Sequence, residues 1–184
     1  MNRRNLLLLA PLAVAGAAGV GFYAALERMR RGTFDPHSLP SPLIGKPMPS
    51  FVLPGQAPAQ FGFSSDEVRA AGSPVLINFF ASWCVPCALE HDELMQLATS
   101  GVALWGIAYK DKPEAAAGFL QEHGNPFARL AADRTGRTAI DFGVYGVPES
   151  YLIDRTGIVR WRWAGPITPA ITADTLRPLL QQFA

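Results

Sequence analysis

Val75-Leu76-Ile77-Asn78-Phe79-Phe80 is an almost unbroken apolar run, and only Ala81 and Ser82 separate it from Trp83-Cys84-Val85-Pro86-Cys87. A short continuous apolar run predicts a strand buried on both faces, as in a parallel sheet. From Cys84 to Thr99 the spacing of Leu89, Leu94, Leu97 and Ala98 is helical, with Gly101 as the stop. A strand covered on both faces needs a layer on each side, and a helix following it directly supplies one. The junction therefore constrains the chain to an α/β architecture.

The rest of the pattern agrees. Ser64-Ser65-Asp66-Glu67 has the Ser-x-x-Glu form of a capping box and opens a short helix to about Ala71. Val102 to Ala108 reads as a second buried strand. Asp111 is expected to cap a helix with Pro113 in its first turn, ending near His123 before Gly124. Glu149 to Asp154 reads as a strand, Arg155-Thr156-Gly157 as a turn and Ile158 to Trp163 as the hairpin partner. On strict alternation Arg160 and Arg162 face one side, and Val159, Trp161 and Trp163 the other, where the two indoles read as core. A last helix follows Thr168-Pro169, and Pro178 must kink it or sit in its first turn. The expected fold class is α/β with a mixed central sheet flanked by helices.

Leu6 to Leu26 is about 21 residues without a charge, between Arg3-Arg4 and the cluster Glu27, Arg28, Arg30, Arg31. As a helix it would span roughly 31 Å, about the hydrocarbon thickness of a bilayer. A retained single transmembrane anchor over residues 1–31 is the expectation. A cleaved export signal is the alternative, because a basic start, an apolar stretch and small residues fit that too. Either implies an exported or membrane-bound domain. Residues 32–49 are rich in proline and read as a linker, with the folded domain over 43–184.

The 184 residues include 16 Lys+Arg and 15 Asp+Glu, a formal net charge of +1. Without a basic field the chain is not expected to hold nucleic acid. Two cysteines cannot supply a four-thiolate zinc site.

Cys84 and Cys87 are the chain's two cysteines, three positions apart at a helix start. Orphan N–H groups and the helix dipole there stabilise a thiolate on the first. One helical turn brings the second within reach, so the pair can attack a partner disulfide and resolve the mixed disulfide itself. Cys84 is assigned as nucleophile and Cys87 as resolving thiol, with Pro86 stiffening the turn and Trp83 flanking the sulfur. A structural disulfide would constrain so short a loop little, and a metal half-site lacks a matching pair of further ligands.

Trp-Cys-x-x-Cys after an apolar strand resembles the thioredoxin superfamily. Leu43-Ile44-Gly45-Lys46-Pro47, Asn78 through Cys87, Gly106-Ile107-Ala108-Tyr109-Lys110-Asp111, Gly124-Asn125-Pro126-Phe127 and Gly143-Val144-Tyr145-Gly146-Val147-Pro148-Glu149 resemble more closely the CcmG/DsbE thiol:disulfide interchange proteins of cytochrome c biogenesis. The resemblance covers about Leu43 to Gly165. It implies a thioredoxin-like fold and a single-pass protein of the bacterial inner membrane whose domain faces the periplasm. It also implies reduction of the haem-binding cysteines of apocytochrome c, contact with the cytochrome c maturation machinery, and re-reduction by a membrane electron donor of the CcdA/DsbD type. No cofactor beyond the redox pair is implied. A general periplasmic reductase or oxidant, or a non-catalytic thiol or metal chaperone, stays open as an alternative.

The same resemblance gives roles to further residues. Pro148 matches a cis-proline beside the sulfurs, with Val147 before it free to pair with a bound peptide. Glu149 and Glu90 match acidic positions near the pair. Glu90 follows Cys87 by one helical turn, where a partly buried carboxylate would raise the thiol pKa values and accept a proton from Cys87. Two departures stand out. Thioredoxin's buried aspartate is replaced by Asn78, which cannot relay a proton. The acidic residue usual after the Ala-Gly of the hairpin is replaced by Pro166.

Overall fold

The computed structural model describes residues 3–30, 41–55 and 62–183. The chain divides into two compact units, Met1–Leu39 and Pro40–Ala184. In the first, helix α1 covers Arg3–Arg30 with Pro11 inside it. Among the described residues no helix is long and apolar enough to cross a membrane. The anchor expected over residues 1–31 lies partly outside the described residues. From Val14 to Leu26 α1 is mostly Ala and Gly, which carry little apolar surface, and the side chains of residues 3–10 and 12–13 lie outside the described ones. So do residues 31–40, which hold the first half of the expected linker.

The second unit is built on a five-stranded sheet of order β5-β4-β3-β6-β7. Its strands are β3 (Val75–Phe80), β4 (Ala103–Tyr109), β5 (Arg129–Asp133), β6 (Glu149–Ile153) and β7 (Val159–Ala164); β1 (Val52–Leu53) and β2 (Phe63–Ser64) form a separate antiparallel pair. Central β3 runs parallel to β4 and antiparallel to β6, and each of its residues is buried. That burial on both faces is why its sequence lacks alternation.

The helices are α2 (Ser65–Arg69), α3 (Val85–Thr99), α4 (Pro113–His123), α5 (Arg137–Phe142), α6 (Pro169–Ile171) and α7 (Arg177–Phe183). One face of the sheet carries Leu76, Phe80 and Leu152 against Leu94 and Leu97 of α3, Phe119 of α4 and Leu176 near the C-terminus. The other carries Ile77, Phe79 and Tyr151 against Phe63, Val68 of α2 and Phe142 of α5. Each such side chain, fully buried, stabilises the fold by roughly 1.5–3 kcal/mol. Gly106 on β4 is required by a close approach, since a Cβ there would lie 2.7 Å from the Phe127 ring. That ring stacks on Phe80, the last residue of β3, at 4.9 Å.

Several expectations are met and others corrected. Ser64 caps α2 with a full capping box to Glu67. The cap of α4 is Lys112, with no side-chain bond, not Asp111; the Asp111 carboxylate turns back to Ser82 instead. The hairpin does not alternate strictly. Ile153 pairs with Val159 and Leu152 with Trp161, leaving Arg160 as an extra residue on β7. This bulge resets the alternation, so Val159 faces the α5 side while Trp161 and Trp163 pack on the α3 side. Both indoles are half-buried and stack on each other at 6.3 Å. Pro178 sits in the first turn of α7, after a single π turn over Thr172–Leu176 in which Arg177 N–H donates to Thr172 O.

Candidate active site

Cys84 is the N-cap of α3, with non-helical φ −94° and ψ 102°. Its Sγ accepts from Cys87 N–H at 3.2 Å, the place a Ser or Thr oxygen usually takes. Pro86 falls in the first turn, where a missing N–H costs nothing. Cys84 and Cys87 are joined as a disulfide, Cα to Cα 5.3 Å, and both are buried. Among the described residues there is no group of three side chains able to hold a metal ion.

The Val147–Pro148 peptide is cis. Val147 O lies 3.3 Å from Cys84 Sγ, and neither its N–H nor its C=O has a backbone partner among the described residues. On the other side of Pro148, its carbonyl accepts from Gly165 N–H at 2.9 Å, so the turn is held by the end of β7. Trp83, Val85, Leu89 and Tyr145 are all exposed. A groove of about 470 Å³ opens beside Cys84, walled by Trp83, Val85, Phe119 and His123 among others.

Asp111, missed as a site residue in the sequence, fixes the turn before the cysteines. Its carboxylate accepts from Ser82 N–H at 2.6 Å, Ser82 Oγ at 2.9 Å and Lys112 N–H at 2.8 Å. The end of β4 thus clamps the residue two positions before Cys84. An aspartate followed by Lys-Pro before a helical pattern reads as a cap, and nothing local in the sequence points 29 residues back.

Glu90 is 1% exposed on the face of α3 that carries Cys87. Its Oε1 accepts from Asn78 Nδ2 at 2.9 Å and its Oε2 from Ile167 N–H at 2.7 Å. Burial pushes its pKa up to about 7, against the opposing pull of the Ile167 and Asn78 hydrogen bonds.

Glu149 has a different environment. Its Cα partner across β3–β6 is Phe79, so it faces the α5 side of the sheet, away from Glu90. It is fully buried, and its Oε1 accepts from Arg162 Nε at 2.6 Å and Tyr151 OH at 2.5 Å. Burial and the neighbouring Glu149 push the Tyr151 phenol up. The Arg162 guanidinium also lies over the Tyr145 ring at 4.7 Å. The structure therefore brings Trp83, Cys84, Pro86, Cys87, Glu90, Val147 and Pro148 around the disulfide, and places Glu149 next in the chain but on the opposite face.

The redoxin family pattern matches residues 43–177. The chain is 40% identical to the thiol:disulfide interchange protein DsbE of Escherichia coli, over 100% of this chain and 97% of that protein. It is 39% identical to the thiol:disulfide interchange protein HelX of Rhodobacter capsulatus, over 96% of each. Among solved structures it is similar to a thiol:disulfide interchange protein of the thioredoxin family from Chlorobium tepidum, with a TM-score of 0.58 and 26% identity, covering 73% of this chain and 95% of that one. The fold is thioredoxin-like, the chemistry is that of a thiol:disulfide oxidoreductase, and the chain belongs to the redoxin family, within it to the DsbE/HelX group of thiol:disulfide interchange proteins.

Proposed function

We propose that this protein is a membrane-anchored, periplasm-facing reductant that keeps the haem-binding cysteines of apocytochrome c reduced during cytochrome c maturation. In the reduced form the Cys84 thiolate attacks one sulfur of the substrate disulfide. A mixed disulfide forms and the first substrate thiolate leaves. Cys87, losing its proton to Glu90, attacks Cys84 Sγ. The second substrate sulfur leaves as a thiolate, which takes a proton from water, and the Cys84–Cys87 disulfide forms, two electrons having passed to the substrate. A membrane electron donor of the CcdA/DsbD type then restores the dithiol.

The observation that carries this reading is the unpaired Val147 backbone beside Cys84 Sγ and the cis Pro148. A polypeptide laid along Val147 as an added strand brings its own cysteine to Sγ. Trp83, Val85 and Tyr145 offer apolar contacts around that point. The uncharged stretch from Leu6 to Leu26 supports the anchor, and resistance to alkaline extraction from membranes tests it.

The reaction is tested on full-length Cys84→Ala and Cys87→Ala with a disulfide-bonded apocytochrome peptide containing Cys-x-x-Cys-His. Cys87→Ala should accumulate a mixed disulfide and Cys84→Ala should form none. Substrate reduction that persists in Cys84→Ala overturns the reading.

A further inference from the structure

A second groove, of about 330 Å³, lies between α3 and the segment after β7. Leu89, Asp92 and Glu93 line one side, and Pro166, Ile167 and Pro169 the other. Glu93 is 8% exposed, yet it has no hydrogen-bond or ion-pair partner among the described residues. Every other buried acid there is partnered: Glu90 by Asn78 and Ile167, Asp111 by Ser82, Asp133 by Ala139 N–H, Glu149 by Arg162 and Asp154 by Arg160. Its carboxylate opens onto the groove, and no side chain among the described residues answers its charge there. Asp92 puts a second negative charge beside it, no Lys or Arg lines the groove, and none occurs in the sequence between Arg69 and Lys110.

Apolar surface leads from the redox pair to this acid. Val85 and Leu89, one helical turn apart on α3, are 73% and 76% exposed. The groove wall is preformed, because Ile167 N–H is bonded to Glu90.

We propose that the groove is a docking site for a lysine or arginine of the polypeptide whose disulfide meets Cys84, with an apolar residue of the same segment resting on Val85 and Leu89. This rests on the reading of Cys84 as the nucleophile toward a polypeptide. From Cys84 to Glu93 the helix rises by about 13 Å, which an extended chain covers in about four residues. The basic residue therefore lies about four positions from the reacting cysteine.

The test uses the reduced full-length chain and peptides carrying one cysteine as a mixed disulfide with a chromogenic thiol. They differ only at the fourth position before or after the cysteine, which is Lys, norleucine or Glu. In one of the two series kcat/KM should favour Lys over Glu by about tenfold at low salt. The difference should sit in KM, shrink as salt rises and fall to about one in Glu93→Gln. Equal kcat/KM for the peptides of both series, or a preference that survives in Glu93→Gln, overturns the proposal. If that variant does not fold, the wild-type preference and its salt dependence, present or absent, decide alone. Reduction of a small uncharged chromogenic disulfide by the wild type is measured alongside. Failure there overturns the redox reading and this proposal with it, whereas success with no peptide preference overturns the groove alone.

Discussion

Asn78 donates its side-chain amide to Glu90 Oε1 at 2.9 Å and to Ser150 Oγ at 3.0 Å, tying β3, α3 and β6 together beneath the cysteine pair. Its amide cannot take a proton, so the one titratable carboxyl in this arrangement is Glu90. All the hydrogen-bond partners of Glu90 are neutral, and burial outweighs them, which is why its pKa rises to about 7. A carboxyl poised there, one turn from Cys87, is matched to accepting and returning a thiol proton near neutral pH.

The rate at which Cys87 resolves a mixed disulfide should therefore show an inflection near pH 7 in the wild type, from the Glu90 pKa of about 7. Glu90→Gln should lose that inflection and slow resolution by about 10²-fold at pH 7. Asn78→Ala removes a bond that lowers the Glu90 pKa, so its inflection should move to higher pH. Stopped-flow resolution of a pre-formed mixed disulfide, followed against pH, checks all three.

The same carboxyl sets a pH dependence of stability. Its pKa in the folded oxidised protein, about 7, lies above the ordinary 4.5, so between those values the native state holds more protons than the unfolded chain. The stability Glu90 contributes is fully present below about pH 4.5 and is lost as pH rises to about 7. At about 1.4 kcal/mol per pH unit the loss is on the order of 3 kcal/mol. Denaturant midpoints of the wild type should fall across that window, and those of Glu90→Gln should stay nearly level.

The strand–helix junction, the capping box at Ser64 and the position of the cysteine pair are legible in the sequence because each depends on local pattern. The bulge at Arg160 is not, since an extra residue in one strand is defined only by its partner. Strand β5 is missed because Arg129–Asp133 is short and bounded by charges, and α5 because Arg137–Phe142 is under two turns. Glu90 can be placed by its helical spacing from Cys87. Its union with Asn78 and Ile167, and the separation of Glu149 onto the other face, arise from tertiary contacts that no window of sequence contains.

Arg162 and Glu149 form a buried ion pair, and removing one partner should be costlier than removing both. Arg162→Met leaves the Glu149 carboxylate unpaired in the interior and should destabilise by about 3–5 kcal/mol. The double variant Arg162→Met, Glu149→Gln should recover part of that loss. Urea unfolding of the two single variants and the double one measures the coupling.

Gly106→Ala should displace the Phe127 ring, whose Cγ lies 2.7 Å from where the new Cβ would be. The expected cost is about 1–3 kcal/mol from overpacking. Restoring space with Phe127→Leu in the same chain should return part of it. Thermal unfolding of the single and double variants makes the comparison.

The central claim is that the Cys84–Cys87 pair works as a reductant of other proteins' disulfides. Its reduction potential, measured on the full-length chain by equilibration with redox buffers and thiol trapping, tests that directly. The expected value is roughly −200 mV or lower, among the reducing members of such pairs. A value near roughly −120 mV, that of a strong oxidant, contradicts it.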